Sequence, residues 1–127
     1  MTSIVLDTSA VLAFLDDEPG AEEVFRVIRF ASISTVNLAE VYTKLTERGR
    51  AGDEAFSAVR DAIGQIVPFT AQMAEMTGSL RAETRKSGLS LGDRACIALG
   101  VALGAEVYTS DRVWADLILP CTIKLIR

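Results

Sequence analysis

The chain contains no histidine, and that absence removes several chemistries at once. Ser-His and Cys-His nucleophilic catalysis both need an imidazole base, and a histidine-ligated transition-metal centre needs imidazole nitrogens. Cysteine is scarce too. Cys96 lies in the apolar run Ala95–Leu99 and Cys121 follows Pro120, so both read as small core residues. With no imidazole to draw off a proton, neither has an evident route to a nucleophilic thiolate. Aromatic residues make up 6% of the chain, too few for a platform of stacked bases. Basic residues are in deficit, 13 Lys and Arg against 17 Asp and Glu, so no broad basic surface is available to a polyanion. No apolar run approaches the roughly 18 residues of a membrane span. The start, Met1 to Asp7, lacks the basic leader of a signal peptide, and the expected location is the cytoplasm.

What is present is a well-filled interior and a set of acids at suggestive places. Half of the 127 residues are hydrophobic and mean hydropathy is +0.30, so residues 1–127 are expected to fold as one domain with a substantial core. Apolar runs at 3–6, 31–34, 66–69, 106–108 and 122–126 read as short strands. Between them, apolar residues at helical spacing predict helices over 8–16, 21–30, 35–48, 52–65, 71–87 and 91–103, with a short one around Trp114 and Leu117. Short strands alternating with helices predict an α/β domain, a parallel central sheet flanked by helices on both faces.

Four acids stand where turns would present them. Asp7 ends the first strand and Asp111 follows the fourth, and ligands of open α/β sheets bind beyond the carboxyl ends of strands. Each also precedes a helix, so each equally fits a helix N-cap. Asp93 completes Ser90-Leu91-Gly92-Asp93, a capping box that accounts for an acid there without any further role. Glu40 falls almost opposite the Leu38, Tyr42 and Leu45 stripe of its helix, and periodicity places it towards solvent. Setting these four aside leaves 13 acids against 13 bases, so the surplus negative charge is in these positions. Gathered carboxylates suit hard divalent cations, which makes metal-assisted chemistry on a phosphate the first hypothesis.

Together the segments resemble a known pattern. Asp7-Thr8-Ser9-Ala10, Ser34-Thr35-Val36-Asn37-Leu38-Ala39-Glu40-Val41, Gly88-Leu89-Ser90-Leu91-Gly92-Asp93-Arg94-Ala95-Cys96 and Val107-Tyr108-Thr109-Ser110-Asp111-Arg112-Val113-Trp114 resemble, in order, the four motifs of PIN domains. Among these they resemble the VapC-type toxins of toxin–antitoxin pairs. The resemblance implies a PIN-like α/β domain and an endoribonuclease using Mg2+ or Mn2+. It implies that Asp7, Glu40, Asp93 and Asp111 are the catalytic and metal-binding acids, with Ser9, Thr109 and Asp116 in support. For Glu40 it replaces the solvent-facing expectation with a cleft-facing one. Arg94 and Arg112 are the expected substrate contacts, with Lys44, Arg48, Arg85 and Lys86 further candidates. Expected partners are an RNA substrate, a cognate antitoxin and a second copy of the chain, the protein partners meeting an apolar surface around Val24, Phe25, Leu45 or Phe56. The alternative is a PIN domain that has lost catalysis and serves as a binding module. A phosphoacceptor receiver domain fits poorly, since only one acid follows the first strand, and Asp7-Thr8-Ser9 lacks the second Asp of haloacid-dehalogenase phosphatases.

Overall fold

Strands Ile4–Leu6 (β1), Ser32–Ser34 (β2), Gln65–Val67 (β3), Glu106–Thr109 (β4) and Thr122–Leu125 (β5) form one parallel sheet in the order β3-β2-β1-β4-β5. The coordinates are a computed structural model and describe residues 3–127. In register, Val5 pairs with Ser32 on one side and Val107 on the other.

Strand side chains alternate between faces, and two cores result. Leu6, Ile33 and Tyr108 join residues of helices Thr8–Leu15 (α1), Ala21–Val27 (α2), Thr35–Glu47 (α3) and Asp53–Ala62 (α4). Val5 and Val107 join residues of Ala71–Ser79 (α5) and Leu91–Leu103 (α7), with Trp114 from the 3-10 turn Arg112–Asp116. The short helix Arg81–Thr84 (α6) lies between α5 and α7 in the chain. Helix α7 is apolar nearly all round because it is buried almost all round, with every residue from Ala95 to Gly100 in the interior. It ends at Gly104, whose φ of 60° lies in the left-handed region that suits glycine.

The parallel α/β architecture matches the expectation, and three elements differ in detail. The predicted helix over 71–87 is broken into α5, α6 and a 3-10 turn at Arg85–Ser87. Ser79 Oγ donates to the Glu75 carbonyl and Thr84 Oγ1 to that of Leu80, and such back-bonding bends helices. The helix over 21–30 tightens to a 3-10 turn at Ile28–Phe30, and β3 stops before Pro68, which has no N–H for a ladder. Of the apolar residues expected to face a partner, Val24 and Leu45 are core, and Phe56 is half-buried with its ring 4.3 Å from that of Tyr42. Phe25 alone is exposed, at 69%. Cys96 is buried, Cys121 half-buried, and both are free thiols. Among the described residues no helix is long and apolar enough to cross a membrane.

Sheet order decides where a site can form. From β1 the chain steps out through β2 to β3, then returns to the other side of β1 with β4. The carboxyl ends of β1 and β4 therefore border the switch point where such sheets open a crevice. Helix α3 starts directly after β2, at the same edge. Helix α7 runs back towards the start of β4, which leaves its own N-terminus at that edge too.

Candidate functional site

Asp7 follows β1 and is only 4% exposed. It occupies the N-cap position of α1 yet makes no side-chain capping bond, so capping does not account for the acid. Its Oδ2 instead accepts from Ser9 Oγ at 2.6 Å and Thr109 Oγ1 at 2.9 Å. Those hydroxyls in turn accept from the backbone N–H groups of Ser110 and Asp111, at 3.0 and 3.1 Å. Two backbone dipoles are thus relayed onto one buried carboxylate oxygen, and each bond polarises the next.

Glu40 comes from the second turn of α3 and is half-buried. Its Oε1 accepts from Thr8 Oγ1 at 2.6 Å and from Asn37 Nδ2 at 3.1 Å. The same Asn37 amide donates to the Gly92 carbonyl at 3.0 Å, tying α3 to the first turn of α7. The Glu40 carboxylate lies flat on Gly92, where an added methyl would come within 2.6 Å of the carboxyl carbon. Periodicity put Glu40 in solvent because the helical wheel sees only one helix; the start of α7 covers that face.

Asp93 and Asp111 serve as caps as well. Asp93 Oδ2 accepts from the Ser90 N–H at 3.0 Å and Ser90 Oγ accepts from the Asp93 N–H at 3.1 Å, so the capping box forms in full. Asp111 Oδ1 accepts from the Val113 N–H at 3.0 Å and caps the 3-10 turn. A cap uses one carboxylate oxygen and leaves the other.

That division recurs at all four acids. Among the described residues the protein ties down Asp7 Oδ2, Glu40 Oε1, Asp93 Oδ2 and Asp111 Oδ1. Among the described residues no protein hydrogen bond engages the partner oxygens, and no Lys or Arg forms an ion pair with any of the four. The acids feel one another. Burial pushes Asp7 up to about 6, against the pull of its Ser9 and Thr109 bonds, and the charges of Asp93 and Glu40 raise it further. Burial also raises Asp93, offset by its bonds to Ser90, with Asp111 and Glu40 adding to the rise. An all-oxygen set of uncompensated carboxylates matches the ligand preference of Mg2+ or Mn2+. As placed, no three acids among the described residues close into a ready ligand group.

The remaining expected residues are dispersed. Asp116 ends the 3-10 turn, exposed beside a groove formed with Glu83 and Leu117–Pro120, and it is not among the charges that raise Asp7 or Asp93. Arg94 is half-buried and turned to α5, where its Nη1 donates to the Thr77 carbonyl at 3.1 Å. Its Nε is buried without a partner. Arg112 is exposed and makes no ion pair among the described residues. Lys44 pairs with Glu47 at 3.5 Å, Arg48 pairs with Asp16, and Arg85 and Lys86 are exposed. Thr8, Asn37 and Gly92 were not singled out from sequence, although all touch Glu40. Asn37 carried a signal: it stands four residues before Val41 and eight before Leu45, a polar residue on the apolar stripe.

Comparison with known proteins bears on the fold and the family. No curated protein matches the sequence significantly. Among solved structures, a chain of the DNA-bound VapBC complex of Salmonella typhimurium is 22% identical, with full coverage of both chains and a TM-score of 0.75. VapC20 of Mycobacterium tuberculosis, described as a toxin cleaving the sarcin–ricin loop, is 20% identical over 94% of this chain and 99% of its own, with a TM-score of 0.71. A chain of a Klebsiella pneumoniae toxin–antitoxin complex is 19% identical over 95% of this chain and all of its own, again with a TM-score of 0.71. At these identities the likeness is one of fold. The family is settled by sequence: the PIN domain model matches residues 4–118, which take in all four acids and the switch-point edge that holds them, and the chain belongs to the PIN domain family.

Proposed function

We propose that the protein is a metal-dependent endoribonuclease, the cytoplasmic toxin of a VapBC-like type II toxin–antitoxin pair. The observation that carries this reading is the division of labour at the four acids. Each has one oxygen held by the fold and one left to a ligand, with no Lys or Arg among the described residues paired to them. Family membership and the toxin–antitoxin neighbours support the same reading.

Asp7, Glu40, Asp93 and Asp111 would hold Mg2+ or Mn2+ through Asp7 Oδ1, Glu40 Oε2, Asp93 Oδ1 and Asp111 Oδ2. A divalent cation bound there supplies a polarised water and offsets charge on a phosphodiester. The chain's own groups do the rest. Ser9 and Thr109 hold Asp7 through Oδ2 and leave Oδ1 unengaged. Asp93, at the N-terminus of α7, is held against the positive end of a helix dipole. With no histidine available, proton removal from the attacking water falls to a carboxylate. Arg112, exposed beside Asp111, is the basic residue best placed to meet the substrate phosphates, whereas Arg94 is committed to α5.

The expected partners follow from the same reading: RNA, a cognate antitoxin covering the acids, and a second copy of the chain. The test is induced expression in a bacterial host with sequencing of RNA 5′ ends. Growth arrest with new ends at a small set of positions, absent for Asp93→Asn, supports the assignment and names the target. Growth and 5′ ends indistinguishable between the two proteins contradict it.

A further inference from the structure

We infer that Asn37 and Gly92 form a built seat for the Glu40 carboxylate, Asn37 by holding Oε1 and Gly92 by leaving room for it, and so act as positioning residues that set the spacing between Glu40 and Asp93. The inference rests on the metal-dependent reading above and deepens it.

Asn37 is fully buried, and its Oδ1 has no hydrogen-bond partner. A buried amide with an idle carbonyl is a poor choice for stability, since an apolar residue of similar size leaves nothing unpaired. The donor half explains its presence. Nδ2 faces Glu40 Oε1 at 3.1 Å, the Gly92 carbonyl at 3.0 Å and Thr8 Oγ1 at 3.3 Å. Rotating the amide by half a turn would set Oδ1 against a carboxylate and a carbonyl, two acceptors, so the orientation is determined. The Thr8 hydroxyl has one proton, and at 2.6 Å it goes to Glu40 Oε1.

The consequence is a fixed span. Gly92 is the residue before Asp93, and its carbonyl shares the Asn37 amide with Glu40. One buried side chain thereby couples an acid of α3 to the turn that carries an acid of α7. Gly92 completes the seat from the other side, because a side chain there would meet the Glu40 carboxyl carbon at 2.6 Å and displace it. Neither residue reaches the cleft itself.

The experiment is Mn2+ binding by titration calorimetry, with melting temperature and circular dichroism recorded on the same samples. Asn37→Leu keeps the branched heavy-atom shape with added bulk and removes the donors; Gly92→Ala adds one methyl. Both are expected to retain wild-type helicity and bind Mn2+ at least tenfold more weakly. In a Glu40→Gln background, adding Asn37→Leu should change Mn2+ affinity less than twofold, because its effect runs through Glu40. Gly92→Ala keeps the test valid should Asn37→Leu fail to fold. If the wild type binds Mn2+ and both variants bind equally well, the seat is refuted while the metal-centre reading stands. Full additivity with Glu40→Gln refutes it as well. If the wild type itself binds no Mn2+, both fall together.

Discussion

Asp7 is held in a site that favours its neutral form, and replacing it by asparagine should stabilise the metal-free protein while destroying its function. The side chain is 4% exposed and its carboxyl is pushed up to about 6 from 3.8, chiefly by burial. The rise from 3.8 to about 6 corresponds to about 3 kcal/mol of penalty on the charged form. The sign follows from linkage. Below pH 3.8 the group is protonated in both states and carries no penalty. Between 3.8 and about 6 the unfolded chain releases the proton and the folded chain keeps it, so stability falls as pH rises. Above about 6 the full penalty applies. Asn can keep accepting from Ser9 and Thr109 through its carbonyl oxygen and carries no charge to desolvate. In EDTA at pH 7.5, Asp7→Asn is therefore expected to melt roughly 10 °C above the wild type, the shift that about 3 kcal/mol produces in a domain of this size. The gap should shrink towards zero near pH 4. Saturating Mg2+ should narrow it at pH 7.5, because the wild type gains a ligand that the variant loses. A variant no more stable than wild type at pH 7.5, or a gap independent of pH, would mean that burial places no such penalty on the Asp7 carboxylate.

Other outcomes follow from the same geometry. Asp93→Asn is expected to lower RNA cleavage more than 100-fold with melting temperature changed by less than about 2 °C, since an asparagine oxygen can still accept from the Ser90 N–H; a steady-state cleavage assay and a thermal scan check both halves. Removing both hydroxyls that donate to Asp7, in Ser9→Ala with Thr109→Ala, should cost about 1 kcal/mol of stability per bond at pH 7.5 and weaken Mg2+ binding, as read by calorimetry. Mg2+ at about 100 times its dissociation constant should add about 2.7 kcal/mol to folding, and EDTA should remove it. Arg112→Ala should raise KM for RNA and leave melting unchanged, whereas Arg94→Ala should lower the melting temperature, because Arg94 braces α7 against Thr77 of α5.

Much of this was readable from residue order, and the failures have physical causes. The strands followed from short apolar runs, and most helices from periodicity, because an amphipathic helix buries one face. The helix over 71–87 misled because the hydroxyls of Ser79 and Thr84 compete for backbone carbonyls without disturbing the apolar pattern. At the site, the competing capping reading held for Asp93 and Asp111 and failed for Asp7, whose carboxylate ignores the helix it precedes. A sequence shows that an acid can cap; only the folded structure shows which oxygen does so. For Glu40 periodicity alone points to solvent, because a helical wheel drawn for α3 cannot show that α7 covers that face. Arg94 was expected to meet substrate from its place beside Asp93, and neighbourhood in the chain does not show that α5 receives its side chain. Asn37 was legible in principle, as a polar residue in line with Val41 and Leu45, but its meaning lay in a contact 55 positions away.

The central claim is that four carboxylates act as one metal-dependent phosphodiesterase centre, and the most direct measurement is cleavage of structured RNAs by purified protein. Mg2+, Mn2+ and EDTA conditions should be run beside Asp7→Asn and Asp93→Asn, with products mapped to the nucleotide. Cuts at defined positions are expected with either metal, and none with EDTA or with either variant. Cleavage that survives EDTA, or that either variant performs at the wild-type rate, would contradict it.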